Sequence, residues 1–361
     1  MPEWPSTAAP WVSAVGRALP STVLEQEQIL AALRGLWAEK HHNASRLDDL
    51  HHAVRVKKRH LALPLERYPA LDRFSRQNDA FIEVAQELGA DAVARALAAA
   101  GLGPRDVDHL LFVTVTGIAT PSVESRIALR LGMRDDVKRV PIFGLGCVAG
   151  AAGLARATDL LRGDPCGVAV LLSVELCSLT LQREDLSVTN VIASGLFGDG
   201  AAAAVLQGGA RHRRGPGSPR VVASRSVLYP GTERVMGWDV VDSGFKVVLS
   251  ADVPQVIRAR LGADVDRFLA AHGLARGDLQ HVVAHTGGPK VLEAVEGALG
   301  LAYGALERSW RSLEEVGNLS SASVLFVLGD LLDADVARPG DRGLLVAMGP
   351  GFCAELVLLE W

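Results

Sequence analysis

Three short apolar runs, His109 to Val115, Val168 to Val174 and Ala201 to Leu206, constrain the fold of this chain most. Runs of that length and composition read as buried strands. Helical periodicity fills the intervals, as from about Asn78 to Ala100, where Gly101 stops it. Apolar strands alternating with helices predict an α/β fold whose sheet is covered on both faces. With 361 residues, 49% of them apolar, the chain can build two core-forming units or one large duplicated one.

The remainder of the chain extends this plan. Residues 1 to about 20 read as extended, and a helix is expected from Ser21, its N-cap, to about Lys40. The basic segment His41 to Arg59 reads as a solvated helix face. Gln207 to Arg220, with four glycines and two prolines, is the best boundary or exposed loop. Beyond it come helices at Pro254–His272, Lys290–Leu299 and Ser321–Asp333, and strands at His281–Ala284, Gly343–Met348 and Glu355–Glu360. The halves share one plan of strand, glycine turn, helix and strand. A duplicated unit is therefore expected, divided as residues 1–210 and 211–361.

Several classes of function are disfavoured. A net charge of −4 argues against binding to nucleic acid. Four cysteines without a Cys-x-x-Cys pair make no disulfide framework, which points to a reducing cytoplasm. Met1 to Ser6 lacks the pattern of a signal peptide. The apolar run Val168–Val174, closed by Glu175, is far too short to span a membrane.

The chemistry centres on Cys147, in the run Gly144-Leu145-Gly146-Cys147-Val148-Ala149-Gly150. Arg139 to Phe143 before it reads as a short buried strand, and Ala151 to Leu161 after it as a helix. The thiol is thus expected at a strand-to-helix turn, where unpaired N–H groups favour a thiolate and lower its pKa. The glycines would let another molecule approach the backbone. Cys166 and Cys353 lack such flanks and read as buried structural cysteines. Among ten histidines, His285 stands out because it ends the strand Val282-Val283-Ala284 and precedes Thr286-Gly287-Gly288-Pro289. It reads equally as a functional group at a strand end or as a hydrogen-bonded structural residue. Asn318, in Gly317-Asn318-Leu319-Ser320-Ser321, fits both a helix cap and an oxyanion donor.

Taken in order, these motifs resemble the type III polyketide synthases, the chalcone-synthase-like family with the thiolase fold. The resemblance runs from about His60 to the C-terminus. It rests on Lys138-Arg139-Val140-Pro141, Gly146 to Gly150, Ser173 to Thr180, Gly195 to Ala202, Ala284 to Pro289, Gly317 to Ala322 and Gly349-Pro350-Gly351-Phe352. It implies duplicated αβαβα layers with mixed central sheets, and a tunnel at whose bottom Cys147, His285 and Asn318 meet. It further implies two gatekeeper phenylalanines, Phe197 and Phe245, and three cavity positions, Cys177, Thr180 and Ser320. Cys177 stands where plant members have Thr. Thr120, in the loop Gly117 to Pro121, takes the place of the residue that crosses a homodimer interface, with Pro121 fixing a special peptide geometry. Arg46 falls near one position that holds coenzyme A phosphates. Asp49 and Ala53 stand where other basic residues would be, so Arg55, Lys57, Lys58, Arg59 and Lys290 are candidates for that role.

The implied reaction is acyl transfer. Cys147 takes an acyl group from an acyl-CoA, with a His285 imidazolium lowering the thiol pKa. Malonyl-CoA loses carbon dioxide, and His285 and Asn318 stabilise the enolate that attacks the acyl thioester. No metal and no permanently bound cofactor is called for. Repetition and cyclisation would give a pyrone or a resorcinol-type ring. The stretch Val140 to Asp199 is most similar to bacterial members that use fatty acyl-CoA starters. Rival readings are a single-condensation β-ketoacyl synthase of fatty-acid initiation, a Cys–His–Asn thioesterase or peptidase, and a non-catalytic partner subunit. Retention of all three polar residues speaks against the last.

Overall fold

The computed structural model describes residues 9–37, 44–211 and 217–361. The expected extended start at 1–8, the helix end at 38–40, and parts of the basic segment (41–43) and of the glycine–proline break (212–216) lie outside the described residues. The first half carries β1 (Trp11–Ala18), β2 (Thr22–Glu25), α1 (Gln26–Trp37), α2 (Ala44–Ala53), β3 (Lys58–Leu61), α3 (Phe74–Ala99), β4 (His109–Thr114), α4 (Val123–Leu131), β5 (Lys138–Phe143), α5 (Ala149–Gly163), β6 (Val168–Leu176), α6 (Val188–Leu196) and β7 (Asp199–Gln207). The second carries β8 (Arg220–Leu228), β9 (Met236–Val241), β10 (Gly244–Leu249), α7 (Val253–Ala270), β11 (His281–Ala284), α8 (Pro289–Leu299), α9 (Glu307–Val316), α10 (Ser323–Asp333), β12 (Arg342–Gly349) and β13 (Cys353–Glu360).

Nine strands form one mixed sheet in the order β11-β12-β13-β8-β1-β7-β6-β4-β5. β4 runs parallel to β5 and β6, and β11 runs parallel to β12. The remaining pairs are antiparallel, and a bridge from Trp11 to Arg220 joins the halves. The sheet wraps around two central helices. α5 packs on β4 and β6 from the first half and on β8, β12 and β13 from the second. α10 packs on β1 and β7 and on β11 and β12. With α3 outside β1, β6 and β7, and α7 outside β13, the layers run helix, sheet, helix, sheet, helix.

The sequence explains why α5 can sit in the middle. Its first seven residues, Ala149 to Ala155, are all buried, and the six beside Leu154 are all Ala or Gly. A helix apolar on every side belongs inside the core. Small residues let it approach both sheets: a Cβ on Gly153 would stand 2.4 Å from Leu171 Cδ1. Fully buried Leu154 and Leu161 each contribute about 1.5–3 kcal/mol of burial energy.

Local departures from the sequence reading have physical causes. Helix α1 starts at Gln26, not at Ser21, because Thr22–Glu25 pairs with Lys58–Leu61 as a strand. The segment ending at Phe143 is not buried. β5 is the outermost strand of the sheet, and Phe143 is 52% exposed. The basic segment is only partly solvated. His51 and Arg59 are buried, with His51 Nε2 3.2 Å from Ser194 Oγ, and Arg59 Nη1 donating to the Ser194 and Phe197 carbonyls. Cys166 is exposed and Cys353 half-buried, so neither is the buried structural cysteine expected.

Candidate active site

The two central helices aim their N-terminal ends at one place. A 3-10 turn, Gly146–Val148, delivers Cys147 to the start of α5. A second 3-10 turn, Ser320–Ala322, leads into α10 just after Asn318. Gly146 has φ 54°, a left-handed conformation suited to glycine, and its missing side chain leaves room for Pro350. A Cβ on Gly150 would stand 2.2 Å from the Ser321 carbonyl oxygen. These glycines therefore serve close approach within the protein, α5 against the turn that precedes α10. The close approach expected of another molecule is here made by Pro350 and the Ser321 carbonyl.

His285 arrives from the second half. Its N–H extends the β11–β12 ladder by donating to the Val346 carbonyl at 3.0 Å, which sets the imidazole just past the strand end. Asn318 is held through its backbone: its N–H donates to the Leu196 carbonyl, and its own carbonyl accepts from Gly198 N–H. The Asn318 Oδ1 atom accepts from the Ser320 N–H at 2.8 Å, which leaves the side-chain NH2 as the amide's donor end. Ser320 sits at φ 48°, an uncommon conformation for a residue with a Cβ. Its Oγ lies 3.6 Å from Cys147 Sγ.

Cys147, His285 and Asn318 all line one small cavity of about 30 Å3, together with Ser320, Phe197, Trp238, Val247 and Pro350. All three are buried, at 8%, 4% and 2% exposure. Burial dominates the electrostatics. It pushes the Cys147 thiol up to about 12, against hydrogen bonds from Ser320 and Asn318 that act the other way. It pulls the His285 imidazole down to about 4. The expectation of a thiol acidified by a helix terminus and an imidazolium is thus reversed. Burial favours the neutral form of both groups, and among the described residues His285 Nδ1 has no hydrogen-bond partner. A neutral imidazole can accept the thiol proton, and an amide donor can face a developing oxyanion.

A residue that the sequence shows only as the close of an apolar run, with no role in the chemistry, supports this arrangement. The Glu175 carboxylate is buried and accepts from Val115 N–H at 3.0 Å, Thr116 Oγ1 at 2.9 Å and Ser321 Oγ. It ties the ends of β4 and β6 to the turn carrying Ser320 and Ser321. Burial raises its pKa. The signal was a single carboxylate closing the apolar run Val168–Val174.

The other candidate residues separate into groups. Ser320 and Phe197 line the catalytic cavity. Cys177 and Thr180 line a different and larger chamber of about 420 Å3, which Phe197 also borders. Phe245 lines neither cavity; its ring packs edge-on against Phe74 and Trp238. The Thr120–Pro121 peptide is cis, as its special geometry was expected to be, and Thr120 is exposed and away from both cavities. Arg55 and Lys57 border a surface cleft but engage carboxylates, Arg55 with Glu293 at 3.8 Å and Lys57 with Glu314 at 2.5 Å. Arg46 and Lys290 are exposed, the latter in the first turn of α8.

Layered halves around two central helices, with Cys, His and Asn converging where those helices begin, define an acyl-transferring enzyme of the thiolase fold. Two family models match the chain, the N-terminal domain of chalcone and stilbene synthases over residues 6–210 and the C-terminal domain over residues 220–360. The chain belongs to the chalcone and stilbene synthase family of type III polyketide synthases. It is 53% identical to a 1,3,6,8-tetrahydroxynaphthalene synthase of Streptomyces peucetius subsp. caesius, over 97% of this chain and 93% of that one. It is 36% identical to a putative chalcone synthase of Bacillus subtilis (strain 168), over 97% and 98%. The crystal structure of 1,3,6,8-tetrahydroxynaphthalene synthase from Streptomyces coelicolor A3(2) superimposes with a TM-score of 0.91 at 31% identity, covering 97% of this chain and 99% of that one. Enzymes of this family use coenzyme A thioesters as substrates. Among the described residues, no helix is long and apolar enough to cross a membrane.

Proposed function

We propose that the chain loads an acyl group from an acyl-CoA onto Cys147 and extends it with malonyl-CoA by decarboxylative condensation, then cyclises the chain. The observation that carries this reading is the convergence of Cys147, His285 and Asn318 on one buried cavity. The neutral imidazole of His285 takes the thiol proton as Cys147 Sγ attacks the thioester carbonyl, and coenzyme A leaves as its thiol. In the second step malonyl-CoA releases carbon dioxide. The resulting enolate oxygen is held by His285 and the Asn318 amide, and its carbon attacks the acyl–Cys147 carbonyl. A cavity with little room for water protects that carbanion from protonation.

The product proposed is a pyrone or a resorcinol-type ring, and of these the polyhydroxylated aromatic ring is the one better supported. Support comes from the names of the relatives, which include 1,3,6,8-tetrahydroxynaphthalene synthase and phloroglucinol synthase. Arg46, Arg55, Lys57 and Lys290 are proposed to meet the coenzyme A phosphates; their exposure supports this. A homodimer in the cytoplasm is proposed as well. The exposed edge strand β5 and the exposed Ile118 and Phe143 favour a second copy on that side. The proposed division at residues 210 and 211 places Cys147 in one half and the other two candidates in the second.

The test is intact-protein mass after incubation with acyl-CoA, followed by product mass with malonyl-CoA added. An acyl adduct on Cys147 and products carrying several extensions support the reading. One extension alone would favour the β-ketoacyl synthase alternative, and free acid without malonyl-CoA the hydrolase.

A further inference from the structure

A long chain cannot fold inside the catalytic cavity. About 30 Å3 accommodates little more than one water-sized group, whereas the neighbouring chamber holds about 420 Å3. Phe197, Trp238 and Val247 line both spaces, so the chamber is the space beside a chain growing on Cys147. Its lining is mostly apolar, from residues such as Ile29, Leu33, Leu61 and Leu65. One patch is not. Tyr68, from the 3-10 turn Leu65–Ala70, and Ser178, from the 3-10 turn Cys177–Thr180, stand together in the wall with their hydroxyl oxygens 2.5 Å apart. Behind them, and no part of the lining, is the fully buried Asp199 at the start of β7. A serine hydroxyl has one proton to donate. Ser178 donates it to Asp199 Oδ2, so the bond to Tyr68 runs from phenol to serine. Asp199 is held in that position, because its Oδ1 accepts from the Ser178 N–H at 2.8 Å and its Oδ2 from the Ala62 N–H at 2.6 Å. Those two backbone bonds are all that a structural role requires. They do not account for two hydroxyls that connect the carboxylate to the chamber wall. Burial raises the Asp199 carboxyl to about 6, against its hydrogen bonds and the Arg59 guanidinium, which makes it a stronger base than an ordinary carboxylate.

We propose that Tyr68, Ser178 and Asp199 form a second catalytic site, a proton relay that closes the ring of a poly-β-keto chain lying in the chamber. A methylene between two carbonyls gives its proton to the Tyr68 oxygen, while the Tyr68 proton moves to Ser178 and the Ser178 proton to Asp199. The C–H bond breaks, and the electron pair left on carbon forms a C–C bond to a ketone carbon of the same chain. The ketone oxygen takes a proton back along the same row, so the relay returns to its starting state. Loss of that hydroxyl with an adjacent hydrogen as water, and enolisation of the remaining ketones, gives the aromatic ring. The inference rests on the condensing reading above, which supplies the chain: Cys147, His285 and Asn318 lengthen it, and a separate set of groups closes it.

The experiment incubates the enzyme with malonyl-CoA, alone and with acetyl-CoA, and measures two quantities in one reaction. Carbon dioxide released counts condensations, and carbocyclic product counts C–C ring closures. Pyrones, which form when an enol oxygen attacks the thioester, collect the chains that escape the relay. Tyr68→Phe and Ser178→Ala are each expected to lower the ratio of carbocycle to carbon dioxide by about 10²-fold, the lower end of what one acid–base group contributes. Ser178→Thr, which keeps the hydroxyl, should hold the ratio within about threefold of wild type. A ratio unchanged in both Tyr68→Phe and Ser178→Ala overturns the proposal, as does a Ser178→Thr ratio as low as that of Ser178→Ala. If Ser178→Ala releases no carbon dioxide, Tyr68→Phe, which removes one oxygen and no bulk, decides. A wild-type enzyme that releases carbon dioxide and makes only pyrones also overturns the relay. A wild-type enzyme that releases none would instead overturn the condensing reading.

Discussion

The catalytic cavity and the chamber beside it are built in opposite ways. The cavity is small, and its key polar groups come from backbone ends of the deepest elements, the starts of α5 and α10 and the end of β11, with the hairpin β9–β10 closing one side. Each candidate group is fixed by main-chain hydrogen bonds or by glycine-permitted contact. The chamber is large, mostly apolar and roofed by α1, α6 and the hairpin β9–β10, elements outside the two central helices. The difference separates two tasks. Aligning a thiol, an imidazole and an amide needs elements that cannot move. Accepting chains of various lengths needs a lining whose side chains can change without disturbing that alignment.

The strongest way to break the comparison is to remove the sulfur. Cys147→Ala should abolish acyl loading, read as the absence of an adduct by intact mass, while every chamber residue stays in place. Loading that persists in that variant would mean that the acyl group sits elsewhere. Next is the amide. Asn318→Ala should lower malonyl-CoA decarboxylation by about 10²–10³-fold, the usual cost of losing one oxyanion donor. Carbon dioxide release measures this directly, and a loss below about threefold would reduce Asn318 to a helix-capping role.

The protonation states give a sharper test. Burial holds the Cys147 thiol near about 12 and the His285 imidazole near about 4. With pKa values in that order both groups are expected to be neutral at intermediate pH, with a thiolate fraction that rises about tenfold per pH unit. Alkylation by iodoacetamide should therefore accelerate about tenfold per unit from pH 7 to 10 without a plateau, because the thiolate is the reacting form. A rate already flat across that range would indicate a thiolate–imidazolium pair and contradict the neutral site.

Much of this was legible in the residues, for reasons that differ by region. Strands β4, β6 and β7 could be read because burial on both faces makes them continuously apolar. Cys147 could be read because a thiol among glycines at a strand-to-helix turn is unusual. The position of β5 could not, since a run such as Val140-Pro141-Ile142-Phe143 looks the same at a sheet edge as inside a core. Nor could the protonation states: helix termini and partners are visible in sequence, but the desolvation that overrides them depends on complete enclosure. The row Tyr68, Ser178 and Asp199 lay hidden because its members come from two separate turns and a strand start. The family resemblance supplied Cys177 and Thr180 and passed over the serine between them.

The mildest perturbation asks whether the two regions are separable at all. Ile29 is 6% exposed on α1, lines the chamber, and packs in a small cluster with Leu30, Leu33, Trp37, Leu47 and Val191. That cluster is distinct from the central core that holds α5 and the start of α10. Ile29→Val removes one methylene from a site that cannot fully collapse, so it should cost about 0.5–1.5 kcal/mol in a urea unfolding experiment. The alkylation rate of Cys147 at fixed pH should stay within about twofold of wild type, since effects at sites without shared partners are close to independent. A tenfold change in that rate would show that the chamber shell and the catalytic groups move as one body, and the division of labour between rigid chemistry and adjustable lining would fail.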